Sequence, residues 1–337
     1  MSLTVENNIL MKNGKPFFYL ADTCWSAFTN ITDNDWDYYL DYRKSQGFNT
    51  LQINILPQWD ASATDLCYEP FEVVDGKYNY KKLNLSYFDH ADKMCARAKE
   101  KGFELALVVM WCNFVPDTWA SQFYSKGVMP IDCIENYINI VHETFTKYDP
   151  LYVISGDTDF NTDLCIEHYV KCAKQLKELA PHCLYTTHIK GRYTYIPDDL
   201  YSYLDLCFYQ SGHNAQNLAM PYLLAEEMID KYKGKPVINS EPCYEDMGYS
   251  RQMYGRWSKE DIIRAAWMSL LSGAGAGITY GAAGIYSWHS TNKGFEASLG
   301  EGFATPKCWQ QALCFEGAWD YGYMKYVFET YDLYGLK

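Results

Sequence analysis

Two short, mostly apolar runs end on an acid: Lys235-Pro236-Val237-Ile238-Asn239-Ser240-Glu241 and Leu151-Tyr152-Val153-Ile154-Ser155-Gly156-Asp157. Each reads as a buried strand with a carboxylate at its far end. An acid at the edge of an apolar core is normally either paired or used. Two such acids facing each other across a sugar-sized cleft suit cleavage of a glycosidic bond. That reaction passes through an oxocarbenium-like state, so one carboxyl protonates the leaving oxygen while the other attacks or stabilises the anomeric carbon. Glu241 as nucleophile must stay ionised, and Asp157 as acid/base must hold a proton near neutrality, which a neighbouring anion favours. A buried ion pair or a helix cap would also account for either acid alone. Asp159 competes with Asp157 for the acid role.

The elements that must position these acids follow from periodicity. After a short hairpin-like segment at 1–16 with a turn at Asn13-Gly14, strands are expected at 17–22, 48–56, 104–111, 151–157, 183–188, 204–210, 235–241 and from 278. Helices are expected between them. Thr32 with Asp35 offers a capping box, Ser258-Lys259-Glu260-Asp261 caps another helix, and Phe88, Ala91, Cys95 and Ala98 keep helical spacing. Ile134, Ile138, Val141 and Phe145 mark another apolar stripe, and a last helix is expected over Lys307 to Trp319. The polar stretch from about Ala61 to Leu85 reads as a long loop over one face, a usual place for function. Eight strands alternating with helices describe an α/β fold, a (β/α)8 TIM barrel, with 1–337 as a single catalytic domain. The glycine run Ser272-Gly273-Ala274-Gly275-Ala276-Gly277 precedes a strand instead of following one, so tight helix-to-strand packing explains it better than phosphate binding.

In such a barrel the strand C-termini converge on one bowl. The residues expected there, beside Asp157 and Glu241, are Asp22, Trp25, Gln58, Trp59, Trp111, His188, Tyr209, Gln210, His213, Tyr244, Glu245 and Trp288. Asp60 also stands at the end of the second strand. Acids, flat aromatics and amides are what a sugar needs: ring faces stack, and hydroxyls pair with acids, amides and imidazoles. His188 and His213 read equally well as barrel-wall histidines satisfied by neighbours. Trp36, Trp257 and Trp267 are assigned to helices and outer packing. Cys112 and Cys243 flank the bowl without a sequence-marked base, which disfavours thiol catalysis.

Composition narrows the classes. Against 29 Lys and Arg stand 42 Asp and Glu, a formal net charge of −13 that repels phosphate backbones and argues against nucleic acid. Aromatics make up 17% of the chain, with 31 tyrosines and 10 tryptophans, as expected for sugar stacking or for a tyrosine-rich interface. The 12 cysteines show no close pairing and no Cys-x-x-Cys, which fits buried free thiols in a reducing cytoplasm and gives no metal motif. The N-terminus lacks a basic and then apolar leader, and no apolar run is long enough to span a bilayer. A cytoplasmic location with no membrane contact is therefore expected, unless a leader had been removed.

A resemblance sharpens this. Asn13-Gly14-Lys15-Pro16-Phe17-Phe18-Tyr19-Leu20-Ala21-Asp22-Thr23 with Trp25, then Gly47-Phe48-Asn49, Ser155-Gly156-Asp157 and Ser240-Glu241-Pro242-Cys243-Tyr244-Glu245, together resemble the apiosidase-like barrel family, related to the retaining glycoside hydrolases of clan A. The likeness runs from about Asn7 to Trp288. It implies Asp157 as acid/base, Glu241 as nucleophile, plant cell-wall glycans as substrate class, and no cofactor. Clan A enzymes usually carry Asn-Glu where this chain has Gly156-Asp157. Many apiosidase-like members continue into a C-terminal β-domain, whereas this chain stops at Lys337, so specificity for apiose does not carry over. The expected activity is hydrolysis of a carbohydrate partner by two carboxylates with retention. The alternatives are a catalytically silent carbohydrate-binding barrel and a metal-dependent sugar isomerase or aldolase.

Overall fold

A computed structural model describes residues 2–251, 253–295 and 303–334. Eight parallel strands form one sheet: Tyr19–Thr23, Thr50–Asn54, Glu104–Trp111, Leu151–Gly156, Leu184–Thr186, Cys207–Tyr209, Val237–Asn239 and Gly277–Tyr280. They are strands one to eight of a barrel, and their order around it is 5-4-3-2-1-8-7-6. Among the described residues the strands pair as a ladder all the way round except between strands five and six. That seam is closed by other means. Asp205 N–H donates to Tyr185 O at 2.8 Å, Tyr185 N–H donates to Asp205 Oδ2 at 2.9 Å, and Thr186 Oγ1 donates to Leu206 O at 2.9 Å.

Helices Asp33–Ser45, Leu85–Glu100, Ile134–Phe145, Asp163–Leu179, Met220–Lys231 and Lys259–Leu271 cover the barrel, with a single turn at Asp198–Tyr201 between strands five and six. Thr32 caps its helix by accepting from Asp35 N–H, but the expected box is not completed, since Asp35 takes the Thr32 hydroxyl instead of its backbone N–H; Ser258 and Asp261 close a reciprocal box. Two further expectations change. The last helix is two pieces, Trp309–Leu313 and Gly317–Tyr331, because Gly317 starts a new amphipathic run that buries Tyr321, Met324 and Phe328. The stretch after strand two is not wholly irregular. It holds a hairpin of Phe71–Val74 and Lys77–Leu83, anchored on the loop after strand three by Tyr78 N–H to Lys126 O at 3.1 Å. The N-terminal segment is a three-stranded antiparallel sheet of Leu3–Glu6, Ile9–Lys12 and Lys15–Pro16; its turns place Asn7, Asn8, Asn13 and Gly14 at positive φ. Met1 lies outside the described residues.

Successive residues of a strand face opposite sides, so each barrel strand sends one side chain inward and the next into the helix layer. The inward set includes a polar knot on Gln52. Its Oε1 accepts from Tyr19 Oη at 3.0 Å and Thr279 Oγ1 at 3.3 Å, while its Nε2 donates to Thr23 Oγ1 at 3.3 Å and Ser240 O at 3.0 Å. One buried amide thereby ties strands one, two and eight to the carbonyl beside Glu241. Gly277 belongs to packing, as the glycine run implied: at φ +152° an added Cβ would meet Tyr19 O at 2.1 Å.

Candidate active site

The strand C-termini enclose a cavity of about 300 Å³, the lower end of the range for small-molecule sites. Glu241 and Asp157 both line it, together with Trp25, Gln58, Trp59, Trp111, Gln210, His213 and Tyr244. His188 stands behind them against Glu241. The remaining expected residues are elsewhere, and strand parity explains two of the four. Asp22 faces outward, fully buried, where it accepts from Arg43 Nε at 2.6 Å and Tyr39 Oη at 2.7 Å; it is one half of a buried ion pair. Tyr209 also faces outward and donates to Pro221 O at 2.8 Å. Glu245 accepts from Tyr280 Oη at 2.6 Å and Gly317 N–H at 3.1 Å, which makes it a cap on the last helix. Trp288 stacks on Trp309 with centroids 4.6 Å apart. These four do not line the cavity.

Glu241 is the most constrained side chain in the site. His213 Nε2 donates to its Oε1 at 2.8 Å, and His188 Nε2 lies 3.1 Å from its Oε2. His188 Nδ1 is in turn held at 2.9 Å by Ser240 Oγ, whose hydroxyl donates to Tyr209 O at 3.2 Å. Burial would raise the Glu241 carboxyl, but the two imidazoles outweigh it and hold it at about 2. His213 is itself held by its backbone carbonyl, which accepts from Trp257 Nε1 at 3.1 Å and Ser250 N–H at 3.2 Å. Trp257 precedes the capped helix instead of lying on it, so its role is to fix this histidine. Behind Glu241, Trp25 meets Trp111 edge-on at 5.0 Å, His188 lies 5.6 and 5.5 Å from those two rings, and Trp25 Nε1 donates to Tyr244 Oη at 3.2 Å.

Asp157 is aimed by its backbone. Strand pairing stops at Gly156, Asp157 takes φ +48°, and pairing resumes with Thr158 beside Ile189. A non-glycine residue in that region is uncommon and marks a locally re-aimed chain. Trp119 Nε1 holds the turn by donating to Asp157 O at 2.8 Å. Gly156 has a direct steric reason: an added Cβ would lie 2.1 Å from Trp111 Cε3, so the indole occupies the space of a side chain here. Asp159 is buried and paired with Lys190 Nζ at 3.1 Å, a structural ion pair. Burial raises the Cys112 and Cys243 thiols, which leaves them poor nucleophiles.

Sequence reasoning missed Trp119, Lys190, Arg192, Asn214, Arg251 and Tyr286 in the lining, and set Asp60 aside. All come from segments beyond the strands, where no periodicity marks a facing. Trp111 Nε1, Gln210 Oε1 and Tyr286 Oη are buried with no hydrogen-bond partner among the described residues. No group of three or more His, Cys, Asp or Glu among the described residues could hold a metal ion.

Solved structures similar to this chain include glycoside hydrolases. Two solved structures share 25% identity: a glycoside hydrolase with TM-score 0.80, and a glycoside hydrolase family 5 from Bacteroides vulgatus ATCC 8482 with TM-score 0.81. Both alignments cover 98% of this chain, against 75% and 71% of theirs. An endo-1,4-β-D-mannanase from Thermotoga petrophila RKU-1 shares the fold at 16% identity and TM-score 0.57, over 91% of this chain and 99% of its own. No curated protein matches the sequence. The barrel and its relatives define a glycoside hydrolase. The family model for the apiosidase-like catalytic domain matches residues 5–334, and the chain belongs to that family.

Proposed function

We propose that the enzyme hydrolyses glycosidic bonds in plant cell-wall type oligo- or polysaccharides with retention, using Glu241 as nucleophile and Asp157 as acid/base. The observation that carries this is Glu241 held ionised by two imidazoles on the floor of an aromatic cavity that Asp157 also lines. In the first step a Glu241 oxygen bonds to the anomeric carbon as Asp157 gives its proton to the departing oxygen. In the second, Asp157 takes a proton from water, whose oxygen displaces Glu241. Tryptophans 25, 59 and 111 offer ring faces to the sugar, and the orphaned Trp111 Nε1 and Tyr286 Oη suit its hydroxyls.

Aryl glycosides test the assignment. Asp157→Asn should lose roughly 10²–10⁴-fold in kcat/KM on poor leaving groups and much less on activated ones, while Glu241→Gln should lose turnover on both. NMR of the first-formed anomer should show retention. Unchanged turnover in both variants would remove these acids from the chemistry, and an inverted first product would exclude the covalent step.

A further inference from the structure

Asp60 is an acid in the cavity that the two-carboxylate scheme does not use. We propose that Asp60 is a third working carboxyl, which donates a hydrogen bond from Oδ2–H to a hydroxyl of the sugar bound against Glu241 and helps decide which sugar the site accepts. This rests on the glycosidase reading above.

The geometry separates Asp60 from the structural acids of this protein. Asp22 has Arg43, Asp159 has Lys190, and Glu104 has both Lys12 and Lys99. Among the described residues no Lys, Arg or His forms an ion pair with Asp60 within 4.0 Å, so it is not held there by a cation. Its side-chain hydrogen-bond partner is an amide: Gln58 Nε2 donates to Asp60 Oδ1 at 2.5 Å, and Gln58 Oε1 in turn accepts from Asn54 Nδ2, while the backbone N–H of Asp60 is a second donor to the carboxyl. Asn54 ends strand two, so a chain of two amides fixes the carboxyl from a rigid element. With Oδ1 engaged as acceptor, a proton on this carboxyl belongs on Oδ2.

The charges around Asp60 favour that proton. Glu241 from strand seven, His213 from the loop after strand six and Tyr286 after strand eight share its cavity, and Cys112 after strand three also acts on it electrostatically. Desolvation by the cavity wall raises Asp60 most, though the residue keeps some exposure to the cavity, and the Glu241 anion adds to it. Gln58, its own backbone N–H and His213 oppose, and the carboxyl stands at about 6 against an ordinary 3.8. One cavity thus holds a carboxyl at about 2 and another at about 6, the separation by which two acids take opposite roles. Since the donor is lost on ionisation, the site works best on the acid side of neutrality.

The test is the pH dependence of kcat/KM on 2,4-dinitrophenyl glycosides, whose leaving group departs without a proton from Asp157. The wild type should fall above about pH 6. In Asp60→Asn, whose amide keeps a donor in place without titrating, the fall should vanish. Asp60→Ala should lose about tenfold below pH 6, the worth of one hydrogen bond, and show no further fall above it. A fall that persists in Asp60→Asn, or none in the wild type, would overturn the proposal. Absence of turnover by the wild type at every pH would instead count against the glycosidase reading. Infrared spectroscopy of the free enzyme addresses Asp60 separately: a protonated-carboxyl stretch titrating near pH 6 and missing from Asp60→Asn is expected. A band that survives the substitution, or titrates as an ordinary aspartate, would overturn the proposal on its own.

Discussion

The state of Glu241 depends on two particular neighbours, and removing one has a signed consequence. Its carboxyl is depressed from an ordinary 4.5 to about 2, so its share of folding stability is fully present above about 4.5 and is lost as pH falls toward 2. His213→Ala leaves burial in place and removes one of the two imidazoles that oppose it, so the carboxyl must rise. The acid limb of kcat/KM should then move upward by about a pH unit or more, and the urea midpoint should lose part of its fall between about pH 4.5 and 2. An acid limb that stays where it was would mean that His188 alone sets the charge. Asp60 has the opposite sign, with stability falling as pH rises from 3.8 to about 6. One site therefore contains two carboxyls with opposed pH dependence.

At the level of strands and turns, the break in pairing at Asp157 and the indole packed on Gly156 form one device. Gly156→Ala pushes a methyl into Trp111 and should destabilise by about 1–3 kcal/mol in denaturant titration, with loss of activity as the indole shifts. Removing that ring in Trp111→Ala should absorb much of the clash, so the double variant should cost less than the two singles together by about 0.5–3 kcal/mol. Strict additivity would show that the two groups do not press on each other. Strand ends were readable because apolar runs of the right length stop at polar residues. That reading put Asp157, Glu241, Trp25, Trp59, Trp111 and Tyr244 in one bowl, where they are found. Facing was not readable at the same level. Asp22 and Tyr209 miss the cavity by one residue of register, since Thr23 and Gln210 are their inward neighbours. Glu245, four residues past Glu241, is claimed by the N-terminus of a helix more than seventy residues downstream, a partnership that no local pattern announces.

Across the whole molecule, the ring of strands is continuous except at one place, and the side chain of Asp205 does the work of missing backbone pairing there. It accepts from Tyr185 N–H and also pairs with Lys177 Nζ at 3.0 Å. Asp205→Ala leaves that N–H without its acceptor and should cost about 1–3 kcal/mol, read as a lower melting temperature. An unchanged melting temperature would show that the seam needs no such bridge. Among the described residues no helix is long and apolar enough to cross a membrane.

The seam has a second meaning. His188 follows strand five and His213 follows strand six, so the two groups that grip Glu241 stand on opposite banks of the one gap in the ring. Glu241, the proposed nucleophile, is in effect the latch across that gap: its carboxylate meets an imidazole from each bank, so widening the gap should change its basicity. In the proposed mechanism, barrel closure and the readiness of the attacking oxygen would be coupled through that one carboxylate.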